Sequence, residues 1–416
     1  MNRVDVLLTP RDPLILRDGR PFGQVGVSQS GGFLWPRPST VAGMLRSRIG
    51  LYQDVRFFQD NREANIRRIL SVSLLACLPA FREGKGYEPC FPAPADALVF
   101  PLSGRQARAK RGKKQEEKEH LEVKALVPRP VARGQGMDYA PPAYWPARLN
   151  DEDLRKPVTT WFWRWSHMQS WLQDQTLAMG EEGMTAEALG WTLPRFEERT
   201  HVCIDLASQT AAESKLFVSR GARYPDTLYL ALRLDADGLA VPQGADMAHL
   251  GGDRRAVFLS WNRGDIRFPE ISELQEIGKN TFGLRLMLTS PGVFGGGWGP
   301  RWLVNTLETG RSAPIPGTDI AVRLRSAVVP RWEALHGWDM NIGKYGAPKW
   351  MRKAVPAGSV YFLELQKPEQ ARTAAEKLWG MSLCDDERDG QDDQDGRDGL
   401  GRVIVGNWRM PAPDSH

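Results

Sequence analysis

The sequence predicts an α+β fold built largely on antiparallel sheet, and three observations predict it. The chain has 416 residues, which at roughly 100–200 residues per domain calls for two or three domains. Strand-like alternation dominates after about residue 210. Helical patterns are few and do not alternate with strands as βαβ units do. Apolar residues make up 41% and charged residues 25%, which excludes the disordered, collagenous and membrane classes. Lys and Arg number 55 against 50 Asp and Glu, so any basic surface must be local.

The elements follow in order. Arg3 to Leu8 alternates as a first strand and Thr9 to Pro13 turns. Leu14 to Leu16 leads into Arg17-Asp-Gly-Arg-Pro-Phe22, a tight-turn or hairpin signal. After a Gly/Ser/Gln stretch at 23–32, Ser39 is the expected N-cap of a helix whose Val41, Met44, Leu45 and Ile49 share one face. Ile66 to Cys77 is apolar and of either type. Residues 103–120, rich in Lys, Arg and Glu, read as a flexible basic insertion. Trp161, Trp165, Met168 and Leu172 predict a helix over 160–179. Strands are expected at 228–234, 282–288, 320–324, 360–365 and 402–405, with a helix from Pro368 to Trp379. Asp385 to Gly399 is acidic and Gly-rich and reads as a flexible, solvated loop.

Several chemistries lack their residues. From Gly337 to Lys344 five residues intervene before the second glycine and Tyr345 follows the lysine, so it is no Walker A loop. Gly399-Leu-Gly401 has Ile404 where a dinucleotide fingerprint needs glycine. The six histidines (His120, His167, His201, His249, His336 and His416) have no acid or Cys at metal spacing. Cys77, Cys90, Cys203 and Cys384 form no C-x-x-C pair and read as reduced thiols of a cytoplasmic protein. No apolar run approaches the ~18 residues of a membrane span. No cofactor or metal is expected.

Three segments remain. At the first, the helix start offers Ser39, Thr40 and backbone N–H groups beside Arg37, with Arg17, Arg20 and Arg46 near in sequence; this is either a phosphate seat or an ordinary capped helix. Gly43 is expected to admit a close backbone neighbour. The second, Ser290 to Arg301, crowds Phe294, Gly295, Gly296, Gly297 and Trp298 into one loop, where glycines let backbone approach a ligand and rings stack on bases, unless it is a hairpin packing on its own sheet. The third, Ile342 to Lys353, interleaves Lys344, Lys349, Arg352 and Lys353 with Tyr345 and Trp350, a pattern suited to a nucleic-acid strand or to an exposed basic loop.

The strings P-x-D-P-L-x-x-R-D-G-R-P-F (Pro10 to Phe22), W-P-x-P-S-T-x-A-G-x-L-R (Trp35 to Arg46) and A-V-P-A-G-S-V-Y-F-L-E (Ala354 to Glu364) occur in order. Together they resemble a RAMP-superfamily subunit, the type III-B CRISPR (Cmr) effector subunit that caps the 5′ handle of the CRISPR RNA. The resemblance covers about a tenth of the chain. It implies two ferredoxin-like, RRM-related domains with large loop insertions, taken as 1–215 and 216–416. It implies a non-catalytic RNA-binding scaffold. Its partners would be the handle, the large polymerase-like subunit that makes cyclic oligoadenylates, and the adjacent backbone RAMP subunit that cuts target RNA, with target RNA met indirectly. Carried over by motif, Arg17, Arg20, Arg37, Ser39 and Thr40 would contact the handle, and Gly295 to Gly299 and Gly399 to Gly401 would face RNA; Phe22 is a further RNA-binding candidate. Where the family often has Pro-Pro-Pro-Ser-Thr, the middle proline here is Arg37. Two other readings stand beside it. One is a metal-independent RAMP endoribonuclease that matures CRISPR RNA, with His201 or His336 as acid/base. The other is a purely protein-binding scaffold with tryptophan anchors.

Overall fold

The computed structural model describes residues 3–17, 28–29, 32–102, 120–131, 144–149, 155–177, 183–191, 194–279, 281, 283–339, 346–385 and 394–409. Apart from most two-residue strands, a single helical turn at Ala186–Leu189 and short turns, the chain runs β1 (Arg3–Pro10), α1 (Pro38–Gln53), α2 (Arg62–Leu70), β2 (Ser73–Glu83), β3 (Gly86–Pro89), β4 (Ala97–Pro101) and β5 (His120–Ala125). It continues with α3 (Trp165–Asp174), β6 (Arg195–Ile204), β7 (Ala211–Arg223), β8 (Tyr229–Asp235), β9 (Gly244–His249) and β10 (Ala256–Trp261). The remainder is β11 (Gly283–Leu288), α4 (Arg301–Thr309), β12 (Ala313–Pro314), β13 (Ala321–Val328), β14 (Glu333–Leu335), β15 (Arg352–Ala354), β16 (Val360–Leu365), α5 (Ala371–Leu378), α6 (Gln394–Arg397) and β17 (Val403–Trp408).

Two antiparallel sheets organise these elements. The first has the order β9-β10-β1-β8-β2-β3 and the second β12-β13-β16-β11-β17. The α+β expectation with antiparallel sheet holds. Within each sheet the four principal strands lie in the same order: fourth, first, third, second. In the second sheet α4 follows the first of these strands and α5 follows the third. In the first sheet α1 and α2 follow the first strand, but β9 stands where a second helix would cross. The strand β7 runs across residues 215 and 216, and β8 to β10 pair into the sheet begun by β1.

Alternation in β1 explains how the layers join. Val4, Val6 and Leu8 turn to one side and pack with Val41, Leu45 and Ile49 of α1. Leu7 turns to the other side and enters a core shared with the second sheet and with Trp171 and Leu172 of α3. Asp96 and Arg285 pair inside that core, with side chains 0% and 2% exposed, and Asp96 also accepts from Trp171 Nε1 at 3.0 Å.

Several local expectations change. The cap of α1 is Arg37, in extended conformation, and Pro38 takes the first helical position, where its missing N–H costs nothing. Ser39 lies inside the first turn and caps nothing. Gly43 faces open space rather than a backbone neighbour. Helix α3 starts at Trp165, because Phe162 and Trp163 pair as a short strand with Phe91 and Pro92, burying Trp163. Trp161 is exposed. The turn at 18–22 and the basic insertion at 103–119 lie outside the described residues. Among the described residues no helix is long and apolar enough to cross a membrane.

Candidate nucleic-acid interface

The three sequence segments meet on one face. A small apolar cluster of Leu335, Ala354 and Leu400, with Val293 and Cys384 against it, ties the glycine-rich loop to β14, β15 and the chain after α6. Beside it, Ser39 shares one depression with His336, Lys349, Trp350, Arg352 and Asp398. The start of α1 and the basic segment, three hundred residues apart, are therefore neighbours.

The charges on this face are mostly spent. Arg37 donates to Glu333 Oε1 at 2.5 Å and to the Ala334 carbonyl at 3.3 Å, and lies over the Phe33 ring at 3.9 Å. It clamps α1 to β14, which removes it from the set of free phosphate ligands. Arg46 is buried; it pairs with Asp398 and donates to the Val72 carbonyl at 2.7 Å. Its guanidinium is turned inward rather than toward a face that RNA could reach. Arg352 grips Asp395 with two bonds of 2.6 and 2.8 Å, and this hydrogen bonding holds the guanidinium more firmly protonated than usual. Lys349 reaches Asp398 at 3.4 Å.

The acidic loop is therefore not solvating charge where it is described. Asp395 and Asp398 are buried counter-ions of the basic segment. Residues 386–393 lie outside the described residues. Asp385 accepts the backbone N–H of Gly295 at 3.1 Å and of Arg301 at 2.9 Å, occupying the N-terminus of α4.

The glycine-rich loop also folds on itself. Phe294 is buried and meets the Tyr361 ring edge-on at 6.3 Å, so it is no stacking platform for a base. The Trp298 carbonyl accepts the Tyr361 hydroxyl at 2.7 Å, and its ring packs against the core. Gly296 sits against the Gly299 carbonyl, and Gly297, at φ +85°, takes a left-handed turn that favours glycine. Gly399 and Gly401 lie against Leu74 and Cys384 rather than facing solvent.

Some predicted residues are exposed. Thr40 is exposed, although its N–H bonds to the Arg37 carbonyl at 3.0 Å. Trp350 is 86% exposed. Lys353 is exposed over the Trp332 ring at 5.1 Å. Arg17 is exposed at a backbone bridge with Gly32. Arg20, Phe22, Lys344 and Tyr345 lie outside the described residues. Two buried nitrogens here, Arg37 Nε and His336 Nε2, have no hydrogen-bond partner among the described residues. His336 stacks on Phe33 at 6.1 Å. His201 instead sits on the β6–β7 ribbon, 2.7 Å from Ser219 Oγ. Among the described residues no group of His, Cys, Asp or Glu could hold a metal.

What sequence reading missed were the counter-ions Glu333, Asp395 and Asp398. No local signal marks them, because each partner lies tens to hundreds of positions away.

A mixed α+β chain that carries Ser39 of the P-S-T motif and Ala354 of the late A-V-P-A-G-S segment beside Leu335 and Leu400 is matched over most of its length by the model of a RAMP-superfamily subunit. The chain belongs to the family described as CRISPR-associated protein (Cas_Cmr3), whose model matches residues 6–408, in agreement with the type III-B resemblance. Among solved structures it is similar to a chain of type III-B Cmr-beta bound to cognate target RNA and AMPPnP, at 14% identity and TM-score 0.44, covering 90% of this chain and 88% of that one. A second structure, of Cmr-beta bound to cognate target RNA, matches at 14% identity and TM-score 0.41 over 86% of each chain. A chain of the type III-A Csm3-Csm4 subcomplex matches at 9% identity and TM-score 0.33, over 86% of this chain and 92% of that one. Comparison with curated proteins finds no match.

Proposed function

We propose that the chain is a non-catalytic, RNA-binding and scaffolding subunit of a type III-B CRISPR effector complex that caps the 5′ handle of the CRISPR RNA. It contacts the large polymerase-like subunit and the adjacent backbone subunit with target-RNA nuclease activity, and meets target RNA indirectly. The observation that carries this reading is the family match over residues 6–408. Geometry adds that the N-terminal motif and the Lys349 to Lys353 segment share one face, with two buried nitrogens left for a ligand or water to satisfy. In this reading Arg17, Arg20, Phe22, Ser39 and Thr40 seat the handle, with Lys344, Tyr345, Trp350 and Lys353 alongside. Arg37, Arg46 and Arg352 hold the face in shape. The common strand order of the two sheets supports two ferredoxin-like domains, divided between Trp261 and Gly283 rather than at 215.

Retention of labelled RNA by the assembled complex tests this. Replacing Arg17→Ala together with Arg20→Ala weakens retention of handle-bearing RNA and leaves handle-free RNA equally poorly held. Equal retention of both RNAs by the unmodified complex would sink handle recognition. Incubation with precursor RNA in EDTA yields no site-specific cleavage; cleavage abolished by His336→Ala or His201→Ala would overturn the non-catalytic assignment.

A further inference from the structure

A cleft of about 330 Å³, lined by Phe81, Arg82, Arg164, Asp226, Thr227 and Tyr229, lies outside the face described above. Arg82 comes from the end of β2, Arg164 immediately precedes α3, and Asp226 and Thr227 form the turn before β8. We propose that this cleft holds one ribonucleotide of a single-stranded RNA, as a sequence-independent contact that rests on the RNA-binding reading.

The first argument is unspent charge. Arg37, Arg46 and Arg352 are committed to internal carboxylates, whereas the guanidinium groups of Arg82 and Arg164 make no side-chain hydrogen bond or ion pair among the described residues and meet Asp265 and Glu88 only at longer electrostatic range. Arg164 lies over Phe81, its Cζ 4.7 Å from the ring centroid. Stacking restrains the guanidinium while its in-plane N–H groups stay available to a phosphate. Glu88, which interacts with Arg164, offsets its charge only in part near neutral pH. Burial, then the neighbouring Glu83, pushes the Glu88 carboxyl up to about 7, and Glu88 Oε1 already accepts the Trp165 N–H at 3.2 Å.

The second argument is the combination of groups. Tyr229 is held edge-on by Tyr87 at 4.8 Å and offers a fixed ring for a base. Asp226 has no use for a bare polyanion or an acidic peptide, which it would repel. It suits a ligand that carries hydroxyl donors close to its phosphate, and a ribose 2′-hydroxyl is such a donor. The volume is near the lower end of the ~300–1,000 Å³ of small-ligand sites, as one nucleotide requires.

Fluorescence anisotropy of the full chain with handle-bearing RNA, handle-free RNA and the DNA of the same sequence tests this, with AMP as competitor. Arg82→Ala with Arg164→Ala weakens both RNAs by a common factor of ~10 or more, because phosphate contacts carry no sequence information. Asp226→Ala lowers the preference for RNA over DNA and leaves DNA binding unchanged. Arg82→Glu, at an exposed rim position, reproduces the loss without disturbing packing. Arg82→Glu and the double variant both binding RNA as the wild type does would overturn the proposal. Equal wild-type affinity for RNA and DNA would also overturn it, and so would AMP competing as well as the strand, which would assign the cleft to a free nucleotide. If handle preference survives and only the cleft variants are silent, this proposal fails and the handle reading stands. If the wild type binds no RNA, both fail.

Discussion

Arg46 in the middle of α1 and Asp398 just after α6 form an ion pair across 352 positions of chain. Their side chains are 8% and 5% exposed, and the guanidinium also bonds the carbonyls of Val72 and Arg397. The pair fastens the helix of the first sheet to the loop that supplies counter-ions to the basic segment. A buried charge that loses its partner is costly, whereas an apolar replacement of both partners is not. Arg46→Ala is therefore expected to cost about 3–5 kcal/mol in urea denaturation, and Arg46→Met with Asp398→Leu to recover most of it.

Phe294 and Trp350, both read from sequence as stacking rings, should respond in opposite ways. Phe294→Ala empties a buried site against Tyr361 and is expected to cost about 3–5 kcal/mol of stability. Trp350→Ala changes a ring that is 86% exposed and should leave stability within about 0.5 kcal/mol. Under the proposed function it instead weakens RNA binding by about 1–3 kcal/mol. Thermal melts and anisotropy titrations on the two variants separate these outcomes.

Glu88 gives the fold a pH dependence of unusual sign. Its carboxyl moves from 4.5 up to about 7, chiefly through burial, so the folded state holds the proton more tightly than the unfolded one. Linkage then makes stability highest below pH 4.5 for this group and lower as pH rises to about 7. Glu88→Gln keeps an acceptor for the Trp165 N–H and should flatten that part of a Tm-against-pH profile. An unchanged slope would show that Glu88 titrates normally.

The cysteines should divide by reactivity. Burial pushes the Cys90 thiol up to about 12, and only 1% of the residue is exposed, so almost no thiolate meets a reagent at pH 8. Cys203 is exposed. Alkylation of the folded protein followed by peptide mass analysis should label Cys203 quickly and Cys90 only after denaturation.

Much of the secondary structure was legible because its causes are local. Val41, Met44, Leu45 and Ile49 recur at helical spacing and do bury one face of α1. The Val360 to Leu365 strand stands as read. The helix at Trp161 was misread because Trp163 finds its partners in a distant strand, and spacing cannot reveal a pairing with Phe91. The candidate site was legible as three segments but not as a surface. Its cations looked free because their acids lie elsewhere in the chain.

Sequence alone determined the antiparallel α+β character, the helix at the P-S-T motif and the motif set that places the chain in its family. Local periodicity and turn chemistry act over a few residues, so they can be read along the chain. Only the tertiary structure decided which charges remain for a ligand. Arg37, Arg46 and Arg352 are consumed by Glu333, Asp398 and Asp395, while Arg82 and Arg164 make no such side-chain ion pair among the described residues. A buried guanidinium needs a carboxylate within hydrogen-bond reach, and that reach is set by packing, not by distance along the chain.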